Sequence, residues 1–339
     1  MRAAQLHLPG LPAEALGEWI SAEDWDEEMM DEPAPHITVM KLEIAEALAA
    51  GAAEVEAPVF VDCTLGFGGH TEALLESARG ARVIAFDRDP IARESSQKRL
   101  ARFGDRLTIV AAPFSSLRAE LAALGIHQVH GICADLGVSS PQLDDPERGM
   151  SFRREGPIDM RMDPTSGETA LEMIGRLEDD QLANVIFEFG EERRSRRIAR
   201  KIKQAHAAGE LRTTLDLRRA IVAAVGPVRV GGVDPATRTF QGLRIAVNQE
   251  LKELTDLLDA MPSLLAVGGH AAILSFHSLE DRLVKRAFKE RGTWDPLTKK
   301  PQTPREEEEL ENPRSRSAKL RVASRVEDPD APAAEDSRP

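Results

Sequence analysis

Apolar positions Ile37, Met40, Ile44 and Leu48 recur at helical spacing and predict a helix leading into the first strand. Four short apolar runs follow at an interval of about 24 residues, the length of a strand, a helix and two short loops. They are Val59–Cys63, Val83–Asp87, Leu107–Ala111 and Val129–Asp135, with helical patterns near 69–79, 89–103 and 115–124 between them. Consecutive strand–helix units predict an α/β fold with a doubly wound, mostly parallel sheet. After Asp135 the rhythm breaks into a long loop reaching Pro164. From about 169 to 233 the pattern is helical, with stretches near 178–189, 191–208 and 213–225, so an inserted helical subdomain is expected. One long helical pattern covers 235–260 through Phe240, Leu243, Ile245, Val247, Leu251, Leu254 and Leu258. The sheet resumes at Ala271–Phe276, preceded by Gly268-Gly269. A helix then starts at His277-Ser278, with Ser278 as its expected cap, and runs to about Lys289. Lys319–Val322 reads as a late strand, and the polar, Pro-containing residues 291–312 read as a loop. The domains that follow are an acidic mobile extension over 1–33, a core over 34–140 and 236–326, an inserted helical substrate-recognition subdomain over 141–235 and a disordered tail over 327–339.

Composition narrows the class. At 339 residues the chain can bury a large core, and no apolar run approaches the ~20 residues needed to cross a bilayer. Cys63 and Cys133 both fall in predicted strands, and the amino terminus lacks a basic start followed by an apolar stretch. A cytoplasmic protein with free thiols and no membrane partner is expected. The net charge of −13 speaks against a polyanionic partner until its distribution is seen. Residues 1–33 carry net −8 and residues 327–339 carry net −4, which leaves −1 for 34–326. Glu306 to Glu309 and Glu311 concentrate five further acids, so the remaining surface is mildly basic.

The stretch from Val59 to His70 ends an apolar run with Asp62 and enters Gly66-Phe-Gly68-Gly69-His70 at a helix start. Glycines let the backbone approach a ligand closely, and the first amides of the helix point at it. Asp87 ends the second strand 21 positions after Gly66, where an acid accepts hydrogen bonds from ribose hydroxyls. A dinucleotide fingerprint would place glycine at position 71, and the chain has Thr71. The turn therefore suits a cofactor without a pyrophosphate. S-adenosylmethionine fits, with Asp62 or its neighbouring amides at the amino acid end, Asp87 at the ribose, and Phe114 and Asp135 beside the adenine. The strand ends at Asp62, Asp87, Pro113-Phe114 and Asp135 are expected to line one crevice.

Six separated motifs carry a family resemblance: Asp62-Cys-Thr-Leu-Gly-Phe-Gly-Gly-His70, Asp135-Leu-Gly-Val-Ser-Ser-Pro-Gln-Leu-Asp144, Gly156-Pro-Ile-Asp-Met-Arg-Met-Asp163, Thr237-Arg-Thr-Phe-Gln241, Ser275-Phe-His-Ser-Leu-Glu-Asp-Arg282 and Asn312-Pro-Arg-Ser-Arg316. Together they resemble the bacterial 16S rRNA (cytosine-N4)-methyltransferases over roughly residues 36–325, outside the stretch near 291–311. The resemblance implies a methyltransferase core that binds S-adenosyl-L-methionine. The implied substrate is the exocyclic amine of one cytosine at the decoding centre (the ribosomal P site), in 16S rRNA or the small ribosomal subunit. Carried over by motif, the cofactor contacts are Gly68, Gly69, His70, Asp87, Phe114, Asp135 and Gln142. The chain departs from the family at 37–40, where it reads Ile-Thr-Val-Met without the usual proline.

A cytosine amine is a poor nucleophile, so the chemistry needs proton acceptors and exclusion of water. Asp135, Ser139 and Ser140 at the fourth strand end are the candidate catalytic groups, and Asp135 serves either the base or the cofactor. A carbon-5 route needs a thiolate, usually in a Pro-Cys pair, and neither cysteine follows a proline. The eight histidines show no ligand spacing with cysteines or each other, so no metal is expected, and His277-Ser278 reads as a helix start. For RNA, Arg193, Arg194, Arg196, Arg197, Arg200, Lys201 and Lys203 crowd one helix, with Ile198 and Ile202 opposite. Arg314, Arg316, Lys319, Arg321 and Arg325 form a second basic cluster. The chain has no tyrosine, which leaves Phe152 or arginine planes to stack a flipped base. Competing readings are an RNA-binding module without turnover, which would not need the glycine turn, Asp87 and Asp135, and a DNA or protein amine methyltransferase. A homodimer is compatible with the sequence and not derivable from it.

Overall fold

Each strand of the sheet's centre is buried on both faces, as a parallel strand covered by helices must be. The structure is a computed structural model that describes residues 37–78, 80–227 and 234–327. The extension expected over 1–33 lies outside the described residues, as does the tail expected over 327–339 apart from Glu327.

Helix α1 (Lys41–Gly51) starts later than the apolar spacing predicts, because Met40 takes left-handed φ 49° and Ile37 remains exposed outside it. The strand–helix alternation then appears as expected: β1 (Val59–Asp62), α2 (Gly69–Ser77), β2 (Arg82–Phe86), α3 (Pro90–Arg99), β3 (Leu107–Val110), α4 (Leu117–Ala123) and β4 (Val129–Asp135). The pattern read as one helix to 103 is α3 followed by a 3-10 turn over Ala101–Arg106, broken by Gly104 at φ 52°.

Between β4 and the next strand the described chain holds α5 (Ser140–Asp144), a long loop over 145–169 that carries one 3-10 turn, and then α6 (Ala170–Arg176), α7 (Asp179–Glu188), α8 (Ser195–Ala207), α9 (Thr214–Val225), α10 (Thr237–Asn248) and α11 (Glu250–Leu264). The single helix expected over 235–260 is two helices, because Gln249 at φ 52° ends α10 and caps α11. Helix α8 buries Ser195, Ile198, Ala199 and Ile202, one stripe at helical spacing.

Strand β5 (Leu265–Ser275) starts six residues before the expected run. Gly268 and Gly269 lie inside it, where pairing to β4 shifts register between Val129 and Gly131 and Gly268 takes φ 84°. This is a bulge, which glycine accommodates without strain. Helix α12 (Ser278–Ala287) follows, and the loop expected over 291–312 instead holds β6 (Trp294–Pro296) and α13 (Glu306–Glu311) before β7 (Lys319–Arg325).

The strand order is β3-β2-β1-β4-β5-β7-β6, with β1 to β5 parallel and β7 antiparallel to both neighbours. One face packs α4, α11 and α12 through Leu117, Leu121, Leu257 and Val284. The other packs α1 and α2 through Leu48, Phe60, Leu74 and Leu75. Each such side chain contributes about 1.5–3 kcal/mol on burial. A third cluster, with Ile174, Leu182, Ile198, Leu217 and Leu243, holds α6 to α10 together. Among the described residues no helix is long and apolar enough to cross a membrane.

Candidate active site

The strand order reverses between β1 and β4, and an open sheet leaves its crevice at the carboxyl ends of the strands there. Cys63 N donates to Cys133 O at 2.8 Å and Leu65 N to Phe86 O at 2.8 Å, so the turn after β1 is held from both sides. Gly66 (φ 49°) and Gly68 (φ 80°) occupy left-handed backbone that favours glycine. A Cβ at Gly66 would meet nothing closer than Thr64 O at 3.9 Å, so the turn stays open there. At Gly68 and Gly69 the requirement is internal. A Cβ would strike Leu100 in the first case and the Thr38 hydroxyl in the second. Helix α2 starts at Gly69, so the amides of Gly69 and His70 belong to the first turn, whose donors a helix leaves free.

Asp62 is 0% exposed, so it does not line the crevice as expected. Its Oδ2 accepts from the Thr71 hydroxyl at 2.7 Å and its Oδ1 from Thr64 N at 3.1 Å. Thr71, whose place argued against a dinucleotide, is thus a support for Asp62. The Thr64 hydroxyl accepts from Asp135 N at 2.7 Å and ties the two strand ends together. Asp135 is 22% exposed, and one of its oxygens lies 3.4 Å from Nε2 of His70, whose side chain is 4% exposed. The His70 ring therefore faces inward, and what it offers a cofactor is backbone.

Asp87 is half-buried at the end of β2. Its Oδ2 accepts from Gly66 N and its Oδ1 from Asp89 N, both at 2.8 Å. Burial pushes its carboxyl up to about 6, against the opposing pull of these two amides. A carboxylate offers about four acceptor positions. Each oxygen of Asp87 thus keeps capacity for a ribose hydroxyl, and the chemistry of the site fits the expected cofactor. Phe114 packs at the edge of the core at the start of the 3-10 turn after β3.

Gln142, expected among the cofactor contacts, has protein partners at both ends of its amide. Its Oε1 accepts from Ser139 N at 3.0 Å and its Nε2 donates to Asp89 at 2.8 Å, so both ends of the amide are engaged. Ser139 caps α5 and Ser140 opens it, both partly exposed beside Asp135. Asp89, which sequence reading passed over, caps α3 through Ile91 N and forms a 2.8 Å ion pair with Arg148. The Asp-Pro pair that opens α3 was a legible cap signal. Arg148, deep in a long loop, carried none.

At the end of β5 the helix cap is His277, not Ser278. His277 Nδ1 accepts from Glu280 N at 3.4 Å, while the Ser278 hydroxyl bonds Glu191 from the helical region. Groups of Glu250, His277 and Glu280 come within 4.8 Å of one another, a proximity that chain spacing does not reveal. Arg244 already grips both oxygens of Glu250 at 2.8 Å, and Phe276 N donates to Glu280 at 2.9 Å. The buried Glu280 carboxyl is nonetheless held below the usual range: burial raises it, and His277, Phe276 N and Arg244 together outweigh that.

The basic residues divide. On α8, Arg196, Arg197, Arg200 and Lys201, with Arg193 just before it, are exposed and have no side-chain partner among the described residues. Arg194 donates to Val225 O at 2.9 Å, and Lys203 caps the end of α6 at Ile174, Gly175 and Leu177. The second basic cluster is largely consumed internally: Arg314 pairs with Asp144, Arg321 with Asp281, and Arg325 donates to Pro262 O. Phe152 packs edge-on against Phe240 with ring centres 5.0 Å apart, so its ring serves the helical cluster. Cys63 and Cys133 are buried, which pushes both thiols well above their usual range.

A sheet of order 3-2-1-4-5-7-6 with an antiparallel seventh strand, a glycine turn after β1 and an acid at the end of β2 define an S-adenosylmethionine-dependent methyltransferase. Residues 33–326 match the MraW methylase family, and the chain belongs to that family. It is 57% identical over 321 residues to the ribosomal RNA small subunit methyltransferase H of Sorangium cellulosum, covering 95% of each chain. With the protein of the same name from Synechococcus sp. (strain CC9902) it shares 49% identity over 299 residues, 87% of this chain and 98% of the other. An rRNA methylase structure from Streptococcus thermophilus is 12% identical at TM-score 0.37, over 88% of this chain and 99% of that one.

Proposed function

We propose that this protein methylates the exocyclic N4 amine of a cytosine in small-subunit ribosomal RNA at the decoding centre, in the cytoplasm. The observation that carries the choice of atom is the pairing of a reachable carboxylate with unreachable thiols. Asp135 is partly exposed at the crevice, whereas both cysteines of the chain are buried with raised thiol pKa values. A carbon-5 methylation needs a thiolate adduct, and an amine methylation needs an acceptor. The names of the curated relatives support a ribosomal RNA substrate, and the motif resemblance supports the decoding-centre cytosine.

S-adenosylmethionine, when bound, would supply an electrophilic methyl group. Backbone at Gly68, Gly69 and His70 would hold the cofactor, Asp87 would accept from its ribose, and Phe114 would stand beside its adenine. Gln142 acts on that site through Asp89. Asp135 accepts the amine proton, and the hydroxyls of Ser139 and Ser140 orient the base. The helical region over 141–235 recognises the RNA, with Arg193, Arg194, Arg196, Arg197, Arg200 and Lys201 on its phosphates.

The test is mass spectrometry of nuclease digests after incubating the protein and cofactor with unmodified small subunits. Methyl at N4 of one decoding-centre cytosine is expected. Methyl on carbon 5, on ribose or in no RNA overturns the reading.

A further inference from the structure

Three titratable side chains cluster where β1, β4 and α2 meet, and only the most exposed of them has a role in the proposed reaction. Asp135 is at the surface, His70 lies beneath it, and Asp62 is fully buried near His70. Among the described residues His70 is the one buried histidine, and the partly buried ones nearest to it in character are held differently. His130 Nδ1 accepts from Val59 N at 3.0 Å, and His270 Nδ1 lies 2.6 Å from Ala47 O. Those rings are secured by backbone. Neither ring nitrogen of His70 has an aligned hydrogen-bond partner among the described residues, although its side chain is 4% exposed. A buried polar ring left without such partners calls for a functional explanation.

We propose that His70 is a proton relay that acts through Asp135, with Asp62 as the fixed counter-charge behind it. The proposal rests on the reading of Asp135 as acceptor of the amine proton. Once the amine nitrogen has gained the methyl carbon it carries one proton too many. That N–H bond breaks with its electron pair staying on nitrogen, and the proton passes to Asp135. Nε2 of neutral His70 then takes it from the carboxyl, which restores the Asp135 carboxylate. The imidazolium so formed stands near two carboxylates in a site of low dielectric, where such charges interact strongly. The charged groups facing His70 are Asp135 of β4, Asp62 of β1 and Lys41 of α1, with the buried thiols of Cys63 and Cys133 beside Asp62. Burial favours the neutral ring, but Asp135 and Asp62 together outweigh it and Lys41, so the imidazole pKa is raised. Burial raises the Asp62 carboxyl, and His70, the Thr71 hydroxyl and Thr64 N oppose that rise, so its charge as well as its place depends on these partners.

As a positioning residue, His70 must show in the pH profile. Single-turnover rates at saturating cofactor remove the titration of Asp87 from the measurement. The wild-type rate should fall as pH drops through the His70 pKa, because imidazolium cannot accept a proton. His70→Gln should lower the plateau rate by about tenfold to a hundredfold and abolish that acidic limb, with cofactor Kd little changed. Asp62→Asn should move the limb to lower pH. NMR titration of the His70 ring in cofactor-free protein gives a readout apart from activity. Its pKa should lie above that of an exposed histidine and drop in Asp62→Asn. An acidic limb retained in His70→Gln, or a His70 pKa unmoved by Asp62→Asn, overturns the relay. Should His70→Gln unfold, the Asp62→Asn arm decides. A methyl group found away from the amine would overturn the amine reading instead, while the NMR titration would still report the coupling of His70 to Asp62.

Discussion

Arg148 and Asp89 form an ion pair at 2.8 Å with side chains 7% and 2% exposed, joining the loop after β4 to the start of α3. Asp89 also accepts from Gln142 and donates its N–H to Asp87, and Arg148 donates to Met162 O at 2.6 Å, so the pair ties the loop to the end of β2. Removing one partner of a buried pair leaves an uncompensated charge. Arg148→Ala should therefore cost about 3–5 kcal/mol in chemical denaturation. A loss under about 1 kcal/mol, typical of an exposed pair, would show that Asp89 is solvated there.

Asp87 should impose a pH dependence of defined sign. Its carboxyl titrates at about 6 in the fold, against about 3.9 in an unfolded chain. The fold thus holds an extra proton between these values, and the cofactor-free protein should lose stability as pH rises through that window and level off above it. Asp87→Asn should flatten this part of the stability curve. Cofactor affinity should move the other way, rising across the window as the ribose acceptor ionises. Asp87→Ala should weaken cofactor binding at pH 7.5 by about tenfold to a hundredfold, the value of hydrogen bonds to a charged group. Calorimetry checks both, and an unchanged Kd in Asp87→Ala would remove it from the site.

Gly69→Ala should destabilise the protein by about 1–3 kcal/mol, because the added methyl meets the Thr38 hydroxyl. Thr38→Gly removes all three side-chain atoms that the methyl would meet and should recover most of the loss in the double variant. Thermal unfolding of the four proteins measures the coupling. Additive losses would show that the strain lies in the turn itself.

Reversing the charge of Arg196 and Arg197 together should weaken RNA binding and lower the slope of log affinity against log salt by about two, one for each phosphate no longer neutralised. Both side chains are exposed, so unfolding midpoints should stay within about 0.5 kcal/mol of wild type. The contrasting variant is Arg321→Met. Because Arg321 is paired with Asp281, it should change stability and leave the salt slope alone. Equal salt slopes in wild type and the Arg196, Arg197 variant would remove α8 from the interface.

Strands β1 to β4 were legible because each is a short apolar run closed by an acid or a turn, and parallel strands buried on both faces have no other form, whereas the three-residue β6 lay unseen in a polar stretch. Three helix boundaries that escaped share one cause. Met40, Gly104 and Gln249 each take positive φ, and a single left-handed residue leaves little trace in hydrophobic spacing. At the site, the glycine turn and Asp87 stood out through local pattern. Arg148, Asn248 and the Glu250–Arg244 pair work through contacts with residues distant in sequence or across a helix junction, which one-dimensional spacing does not encode. The basic residues were visible as a crowd, but only structure separates Arg196, facing solvent, from Lys203, which caps a helix, and Arg321, which neutralises a buried edge.

Asn248 closes the junction between α10 and α11 with one short side chain. Its Oδ1 accepts from Met162 N at 2.7 Å, its Nδ2 donates to Met160 O at 2.7 Å and Arg244 O at 2.9 Å, and its own carbonyl accepts from Arg88. Aspartate lacks the two donors, leucine lacks all three groups, and glutamine is a carbon too long. In a scan of every substitution, position 248 should thus be as intolerant as the crevice residues themselves. Ranking positions by mutational sensitivity alone would place this internal tie among the groups that meet substrate.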